Sequence, residues 1–356
     1  MSRIVIKVGS NILTRRDGMP DITNMSSLVD QIATLKMEGH DIVLVSSGAV
    51  ACGRKAVKPR KSLDAIEERQ LFSAVGQIRL IYLYNQLFNA YGFTIGQILT
   101  QKENFASRNS YLNQRNCMMT MLDNGVIPVV NENDTSSLTE LMFTDNDELS
   151  GLIATMIDAD YLIILSNIDG IYTGNPSDPD SELIEIVTPG RDVSQYVSAT
   201  KSGFGRGGMG TKCNIASKVA SEGISVMIAR GNRPRVLIDL INSPDTVPHT
   251  LFMPSESSLN PVKRWIAHSG SFAKGSITVN EKATEALLSD KAVSLLPVGI
   301  IEMTGDWEEG DIIKIFDHNN KYLGIGKASI NKDDALEAMG KHAKKPLVHY
   351  NYLYIE

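Results

Sequence analysis

Short apolar runs and longer amphipathic stretches alternate along the first two thirds of the chain. Leu28, Ile32 and Leu35 repeat at helical spacing and Gly39 follows them, so the pattern predicts a helix over Asn24–Glu38. The runs typical of buried strands are Arg3–Val8, Asp41–Val45, Val126–Val130, Tyr161–Leu165 and Ile224–Ala229. Apolar strands separated by helices predict an α/β fold, with a mostly parallel sheet sandwiched between helices.

The pattern changes after residue 243, where four prolines interrupt the chain at Pro244, Pro248, Pro254 and Pro261. Short β-type runs then return between turn residues, at Ser276–Val279, Ile312–Phe316 and Leu323–Ala328. We therefore predict a larger domain at residues 1–255, a linker at 256–273 and a small β-rich domain at 274–350. A length of 356 residues also favours two domains.

Composition narrows the class of protein. The chain carries 42% hydrophobic and 21% charged residues and a net charge of −6, which fits a globular protein without a polyanionic partner. No apolar run approaches the ~20 residues of a membrane helix, and the start of the chain predicts no signal peptide. Three widely spaced cysteines form neither a metal motif nor a disulfide framework, so we expect a cytoplasmic location.

A glycine-rich segment at residues 203–210 holds five glycines in eight positions, and Thr211 and Lys212 follow it. Such a segment lets backbone N–H groups approach an anion closely. It fits neither standard nucleotide motif. A dinucleotide fold needs an acid after the next strand, where this chain has Arg230, and a P-loop ends in Lys-Thr rather than Thr-Lys. We interpret the segment as a phosphate-binding loop, with a flexible surface loop as the alternative.

Polar residues follow several predicted strands. Lys7 lies at the end of the first strand, where an unpaired charge would be costly to bury. The other strand ends carry Ser46-Ser47-Gly48, Asn131-Glu132-Asn133-Asp134 and Ser166-Asn167. Ligands of open α/β sheets bind beyond the carboxyl ends of the strands, so these residues suggest one crevice. Ordinary turn chemistry remains the alternative for each of them.

Two further features bear on the reaction. Thr144-Asp145-Asn146-Asp147 reads as a capping box at the start of a helix, with Thr144 as the N-cap. None of the six histidines lies between residues 41 and 248, so a histidine base in the crevice is not expected. A kinase whose acceptor is a carboxylate needs no base, because the nucleophile is ionised at neutral pH. It needs charge neutralisation, in-line placement and Mg²⁺.

These motifs occur along the chain in the order typical of the amino-acid kinase family. The chain therefore resembles that family and, within it, the glutamate 5-kinases. The C-terminal part resembles a PUA domain through Lys263-Arg264-Trp265-Ile266 and residues 294–300. The pieces that carry the first resemblance are Ile6-Lys7-Val8-Gly9-Ser10, residues 45–50, Val75-Gly76-Gln77, residues 131–134, Asp145-Asn146-Asp147, Gly170-Ile171-Tyr172-Thr173 and residues 207–212. Together, the two resemblances run over nearly the whole chain.

The resemblance implies roles for particular residues. Lys7 and Lys212 would stabilise the transferring phosphoryl group, and Asp147 would position both lysines. The residues implied at the glutamate site are Ser47, Asp134 and Asn146, with Gly48 and Asn131 nearby. Those implied at the ATP site are Lys7, Ser166, Asn167, Arg206, Gly207, Gly208, Met209, Gly210, Thr211 and Lys212. No residue is implied as a metal ligand.

The resemblance also implies the reaction and its partners. ATP and Mg²⁺ would phosphorylate the γ-carboxylate of L-glutamate to γ-glutamyl phosphate, the first step of proline biosynthesis. Proline would act as a feedback inhibitor, the chain would form a homo-oligomer, and the next enzyme, glutamate-5-semialdehyde dehydrogenase, would be a partner. One departure is Ser166-Asn167, where the family commonly has Thr-Asp, so an acidic contact near the nucleotide is lost.

Two alternatives stay open. One is another carboxylate or phosphate kinase of the same family. The other is a PUA-type RNA-binding protein. Residues 259–356 carry 12 Lys and Arg against 13 Asp and Glu, however, and an RNA-binding module normally has a basic excess. We therefore expect no nucleic-acid partner.

Overall fold

The computed structural model describes the chain except residues 16, 107, 137–142, 144, 197–207, 256–265, 267–268, 290–292, 342–344 and 356. It divides into two compact units. The first comprises residues 1–102 and 112–258, and the second comprises residues 103–111 and 259–356. None of the helices in the described part combines the length and apolarity needed to cross a bilayer.

In the described residues of the first unit, eight strands form one sheet in the order β3-β4-β2-β1-β5-β9-β10-β8. The strands are β1 (Arg3–Val8), β2 (Asp41–Ser46), β3 (Ile95–Thr100), β4 (Ile127–Glu132), β5 (Tyr161–Ser166), β8 (Ile186–Val187), β9 (Ser225–Arg230) and β10 (His249–Phe252). All neighbours run parallel except β9 and β10. A separate antiparallel ribbon joins β6 (Ile171–Tyr172) to β7 (Leu183–Ile184).

Helices connect these strands. They are α1 (Ser10–Leu13), α2 (Ile22–Met37), α3 (Ala49–Ala56), α4 (Ala65–Asn89), α5 (Glu103–Ala106), α6 (Arg108–Asp123), α7 (Asn146–Met156), α8 (Met209–Ser221) and α9 (Val236–Asn242). The alternation of side chains along β1 separates the two faces of the sheet. Ile4, Ile6 and Val8 join the core formed with α2, α4 and α9. Lys7 points to the opposite face, which α7 covers.

Helices α3 and α4 approach closely because glycines lie between them. A Cβ atom placed on Gly53 would lie 1.8 Å from the carbonyl oxygen of Phe72, and one on Gly76 would lie 1.8 Å from that of Ala49. No side chain larger than hydrogen fits at either position. Gly76 belongs to the Val75-Gly76-Gln77 motif, so at this position the motif serves packing.

The second unit contains a sheet of five strands in the order β12-β11-β13-β14-β15. The elements are β11 (Gly275–Val279), α10 (Glu281–Leu287), β12 (Ile300–Gly305), β13 (Ile312–Phe316), β14 (Tyr322–Ala328), α11 (Lys332–Ala338) and β15 (Val348–Ile355). Neighbouring strands are antiparallel except β11 and β13. Its core includes Ile277, Ile313, Ile315 and Trp307, all buried.

The predicted fold class is confirmed: a mostly parallel sheet lies between helices, and a small β-rich unit follows it. The predicted strands agree with β1, β2, β4, β5 and β9 to within a residue or two at their ends. The predicted N-cap was wrong. Asp145 is the N-cap of α7, because its Oδ1 accepts the backbone N–H groups of Asp147 and Glu148 at 2.9 and 3.1 Å. Thr144, the predicted N-cap, lies outside the described residues.

Candidate active site

Two lysines meet one buried aspartate at the carboxyl end of β1. Lys7 Nζ lies 2.5 Å from Asp147 Oδ1, and Lys212 Nζ lies 2.7 Å from Asp147 Oδ2. Lys7 comes from β1, Asp147 from the first turn of α7, and Lys212 from the first turn of α8. Since Asp147 is fully buried and Lys7 is 5% exposed, little water screens these charges. The three residues carry a net charge of +1, which favours a bound anion.

The two lysines also govern the ionisation of Asp147. Burial alone would raise its pKa, but the charges of Lys7 and Lys212 hold the pKa below its usual value. The pKa of Asp145 is shifted in the opposite direction. Burial raises the pKa of Asp145 to about 6, and the nearby charge of Asp147 acts in the same direction. Its Oδ1 caps the helix, whereas its Oδ2 is buried with no hydrogen-bond partner among the described residues.

A pocket of about 470 Å³ opens beside this cluster. All five residues implied at the glutamate site line it: Ser47, Gly48, Asn131, Asp134 and Asn146. A hydrogen-bonded network fixes three of them, since Asn146 Nδ2 donates to Ser47 Oγ at 2.8 Å and to Asn131 Oδ1 at 3.0 Å. Gly48 precedes α3 with a φ of 105°, a left-handed conformation that favours glycine.

The pocket contains charged residues that the sequence did not single out. Arg69, from α4, donates from Nε to Asp134 Oδ1 at 2.6 Å and from Nη2 to Glu132 Oε2 at 2.6 Å. Asp134 and Glu132 are 7% and 5% exposed, so Arg69 compensates two buried carboxylates. Glu132 carried a usable signal, because an acid at the end of a buried strand needs a cationic partner. Nothing in the sequence identified Arg69 as that partner.

Gln77 and Asp145 were also missed as candidates, although both lie in motifs that the sequence analysis quoted. Gln77 Oε1 accepts a hydrogen bond from Asn131 Nδ2 at 2.9 Å, which holds the side chain that Asn146 also contacts. Asp145 lines the pocket directly. Gln77 and Asp145 share one feature that could have identified them: each is a polar residue where α4 or the start of α7 faces the ends of the strands.

Apart from Lys7 on β1, the described residues implied at the nucleotide site lie at the end of β5 and at the start of α8. Ser166 ends β5 and Asn167 follows it, with Ser166 Oγ donating to Asn167 Oδ1 at 3.3 Å. Gly208 precedes α8, and Met209, Gly210, Thr211 and Lys212 form its first turn. The N-cap Gly208 has no side chain, and among the described residues the first N–H groups of the helix have no side-chain cap, so they suit an anion. Arg206 and Gly207 lie outside the described residues.

In the part of the chain that the structure describes, no group of three or more His, Cys, Asp or Glu side chains could hold a metal ion. Both oxygens of Asp147 face lysines, which leaves this carboxylate poorly suited to a cation. Beside the pocket, Lys7, Lys212 and the first turn of α8 present ammonium groups and backbone N–H donors. This arrangement suits an anionic substrate that carries its own metal ion.

Comparison with known proteins identifies the family. Residues 2–230 match the amino acid kinase family, and residues 275–350 match the PUA domain. The chain belongs to the amino acid kinase family. The glutamate 5-kinase of Bacteroides thetaiotaomicron is 60% identical over 355 residues, which cover 100% of this chain and 99% of that protein. The glutamate 5-kinase of Chlorobaculum tepidum is 45% identical over 364 residues, covering 99% and 97% of the two chains.

A solved structure shares the fold at low sequence identity. The carbamate kinase from Giardia lamblia, solved with AMP-PNP, superimposes with a TM-score of 0.52 at 18% identity. The match covers 71% of this chain and 99% of that one. It therefore supports the α/β fold of the amino acid kinase family and no finer conclusion.

Proposed function

We propose that the chain transfers the γ-phosphoryl group of ATP to the γ-carboxylate of L-glutamate. The products are ADP and γ-glutamyl phosphate, and the reaction is the first step of proline biosynthesis. The observation that carries the proposal is the pair Lys7 and Lys212 on Asp147, next to a pocket lined by polar residues that suit an amino acid. The relatives named glutamate 5-kinase match along the whole chain and support the same acceptor.

The chemistry follows from the charges. A carboxylate oxygen of glutamate, ionised at neutral pH, forms a bond to the γ-phosphorus while the bond to the β–γ bridging oxygen breaks. Lys7 and Lys212 neutralise charge on the transferring group, and Asp147 fixes the separation of the two ammonium groups. No proton has to be removed from the acceptor, so the reaction needs no histidine, and the described residues that line the pocket include none.

Mg²⁺ enters the proposal as part of the nucleotide. This ion keeps several waters and commonly binds through substrate phosphates rather than through a protein cage. The described residues fit that mode, because they offer cations and an open helix N-terminus for phosphate and no cluster of three acidic ligands. When bound, Mg²⁺ would neutralise charge on the phosphates.

The pocket supports a regulatory role for proline. Proline shares the α-carboxylate and α-ammonium groups of glutamate, so the charged residues Arg69 and Asp134 could receive either amino acid. Bound proline would then compete with glutamate.

The product is a reactive acyl phosphate, which favours direct use by the next enzyme, glutamate-5-semialdehyde dehydrogenase.

We also propose a homo-oligomer in the cytoplasm. Ile78 and Tyr82 lie one turn apart on α4 and are 72% and 60% exposed, an apolar pair suited to a subunit contact. Cys52, Cys117 and Cys213 are all free thiols, as is usual in a reducing compartment. Light scattering of the purified chain would test the assembly.

An acceptor screen tests the reaction. The purified chain, with ATP and Mg²⁺, is offered L-glutamate, L-aspartate, N-acetyl-L-glutamate, carbamate and UMP, and ADP release is measured. Trapping the acyl phosphate with hydroxylamine identifies the product. We expect turnover with glutamate only, its loss in Asp147→Asn, and normal turnover in Asp123→Asn, which replaces an exposed aspartate. Turnover with another acceptor and none with glutamate would refute the proposal.

A further inference from the structure

A second charged cluster lies at the carboxyl ends of β5 and β9. Asp169 accepts hydrogen bonds from Arg233 Nε at 2.7 Å through Oδ1 and from Arg230 Nη2 at 3.1 Å through Oδ2. Tyr172 donates to the same carboxylate at 3.4 Å. The acceptor pocket does not include any of these residues. The cluster therefore needs an explanation of its own.

The sheet register places this cluster on the nucleotide side of the lysines. Val8 pairs with Leu165, and Leu165 pairs with Ala229, so the next residues, Ser166 and Arg230, lie level with Gly9. With neighbouring strands about 4.8 Å apart, Arg230 lies roughly 10 Å from Gly9 along the sheet edge. The acceptor pocket lies towards β2 and β4, in the opposite direction. Moving from Lys7 towards Arg230 therefore leads past Ser166 and away from the acceptor.

The two arginines retain capacity to bind an anion. Their side chains are 38% and 39% exposed, whereas that of Asp169 is 8% exposed. One carboxylate offsets two guanidinium groups, which leaves a net charge of +1. Among the described residues, Arg230 Nη1 and both Nη atoms of Arg233 have no hydrogen-bond partner. Guanidinium groups with spare N–H donors match the geometry of phosphate oxygens.

We propose that Arg230 and Arg233, oriented by Asp169, bind the α- and β-phosphates of the nucleotide. This inference rests on the proposed kinase function and adds two residues to the site. Lys7 and Lys212 would then face the transferring group, and the arginines would hold the part that leaves as ADP. The competing structural explanation is that Asp169 merely ties the loop after β5 to the loop after β9.

Ligand binding separates these explanations, because ADP carries phosphates and adenosine does not. Calorimetry would measure the Kd of each ligand for wild type, Arg230→Gln and Arg233→Gln, with ATP and glutamate KM values measured in parallel. We expect each substitution to weaken ADP by about 10- to 100-fold, the range for hydrogen bonds to a charged group. The Kd of adenosine and the KM of glutamate should stay unchanged, and the KM of ATP should rise.

Arg235→Gln is the matched control. Arg235 lies two residues beyond Arg233, is 66% exposed and pairs with Asp239. It should bind ADP as wild type does. If a glutamine variant unfolds, Arg230→Lys and Arg233→Lys keep the charge, lose the two-pronged donor and should show a smaller loss of ADP affinity.

An unchanged ADP Kd in the variants, or equal weakening of ADP and adenosine, would overturn the inference. Turnover by the wild-type chain distinguishes failure of the arginine assignment from failure of the proposed function. If wild type phosphorylates glutamate but the variants bind ADP normally, only the arginine assignment fails. If wild type binds ADP and phosphorylates no glutamate, while the variants weaken ADP and not adenosine, the proposed acceptor fails and the arginine assignment stands.

Discussion

Lys7 Nζ and Asp147 Oδ1 lie 2.5 Å apart, although one residue belongs to the first strand of the sheet and the other to a helix far along the chain. Both are almost fully buried. Buried ion pairs seldom add stability, because the desolvation of two charges offsets their attraction. The position of Lys212 on the other oxygen of Asp147 is therefore best explained by function.

Replacing either lysine should mainly slow the chemical step. We expect Lys7→Ala or Lys212→Ala to lower kcat by on the order of 10²–10³, the cost of losing one stabiliser of transition-state charge. The KM for glutamate should change far less. Lys58→Ala removes an exposed lysine and serves as the control. Melting curves exclude unfolding as the cause, and near-normal turnover in a folded variant would contradict the mechanism.

The ionisation of Asp145 predicts a pH dependence of stability. Its pKa is raised from 3.8 to about 6, so folding favours the protonated form. The stability that this proton provides is present below about pH 4 and is lost as the pH rises through 6. Asp145→Asn keeps a helix cap without the charge. It should therefore be more stable than wild type at about pH 7.5, by on the order of 2–3 kcal/mol, and equally stable near pH 4.

Unfolding free energies of both proteins at the two pH values check this expectation. Asp21→Asn is the control, because Asp21 also caps a helix, accepting the N–H of Asn24 at 3.1 Å. An Asp145→Asn advantage that does not change with pH would show that the cap, not the charge, is responsible.

Asp134→Asn should raise the KM for glutamate. Asp134 lines the pocket, and its charge suits the α-ammonium group of an amino acid. Removing one member of such a pair costs about 2–5 kcal/mol. Steady-state kinetics with each substrate varied in turn measure the effect, and the KM for ATP is the internal control. Weaker ATP binding with an unchanged glutamate KM would show that Asp134 does not serve the acceptor.

Asn167→Asp should change nucleotide binding alone. Asn167 follows β5, at the position where the family resemblance leads us to expect an aspartate. A carboxylate there would hydrogen-bond a nucleotide hydroxyl or repel phosphate, so we expect a change in the KM of ATP or in its Mg²⁺ dependence. Asn175→Asp introduces the same charge at an exposed position as the control. An altered glutamate KM instead would assign this strand end to the acceptor pocket.

A chain that ends at Ser258 should keep kinase activity. We propose that residues 1–255 form the kinase domain, residues 256–273 a linker and residues 274–350 the PUA domain. Every residue given a role in the acceptor pocket or the lysine cluster precedes residue 213. Steady-state kinetics of the truncated chain should show glutamate-dependent ATP turnover, with changes confined to inhibition by proline, Mg²⁺ dependence or assembly. A folded but inactive truncation would contradict this division.

The local pattern of the sequence was enough to predict the alternating strands and helices, the change to a β-rich unit and the glycine-rich start of α8. Phosphate binding at that start stays a prediction. These features depend on residues close together in the chain: apolar runs, turn residues and glycines. Lys7 stood out for the same reason, as a charge inside an apolar run. The resemblance then supplied the roles proposed for Asp147 and the pocket residues.

The tertiary structure decided which side chains meet. Arg69 is the partner of Asp134 and Glu132 because the fold brings α4 to the end of β4, which the sequence did not reveal. Asp169 and Arg230 meet because β5 and β9 are neighbours in register. Residues far apart in the chain come together through the order and register of the strands and the packing of the helices. Their burial and the balance of their charges therefore depend on the tertiary structure. The sequence therefore determined the elements and the candidate charges, and the fold determined how those charges are paired.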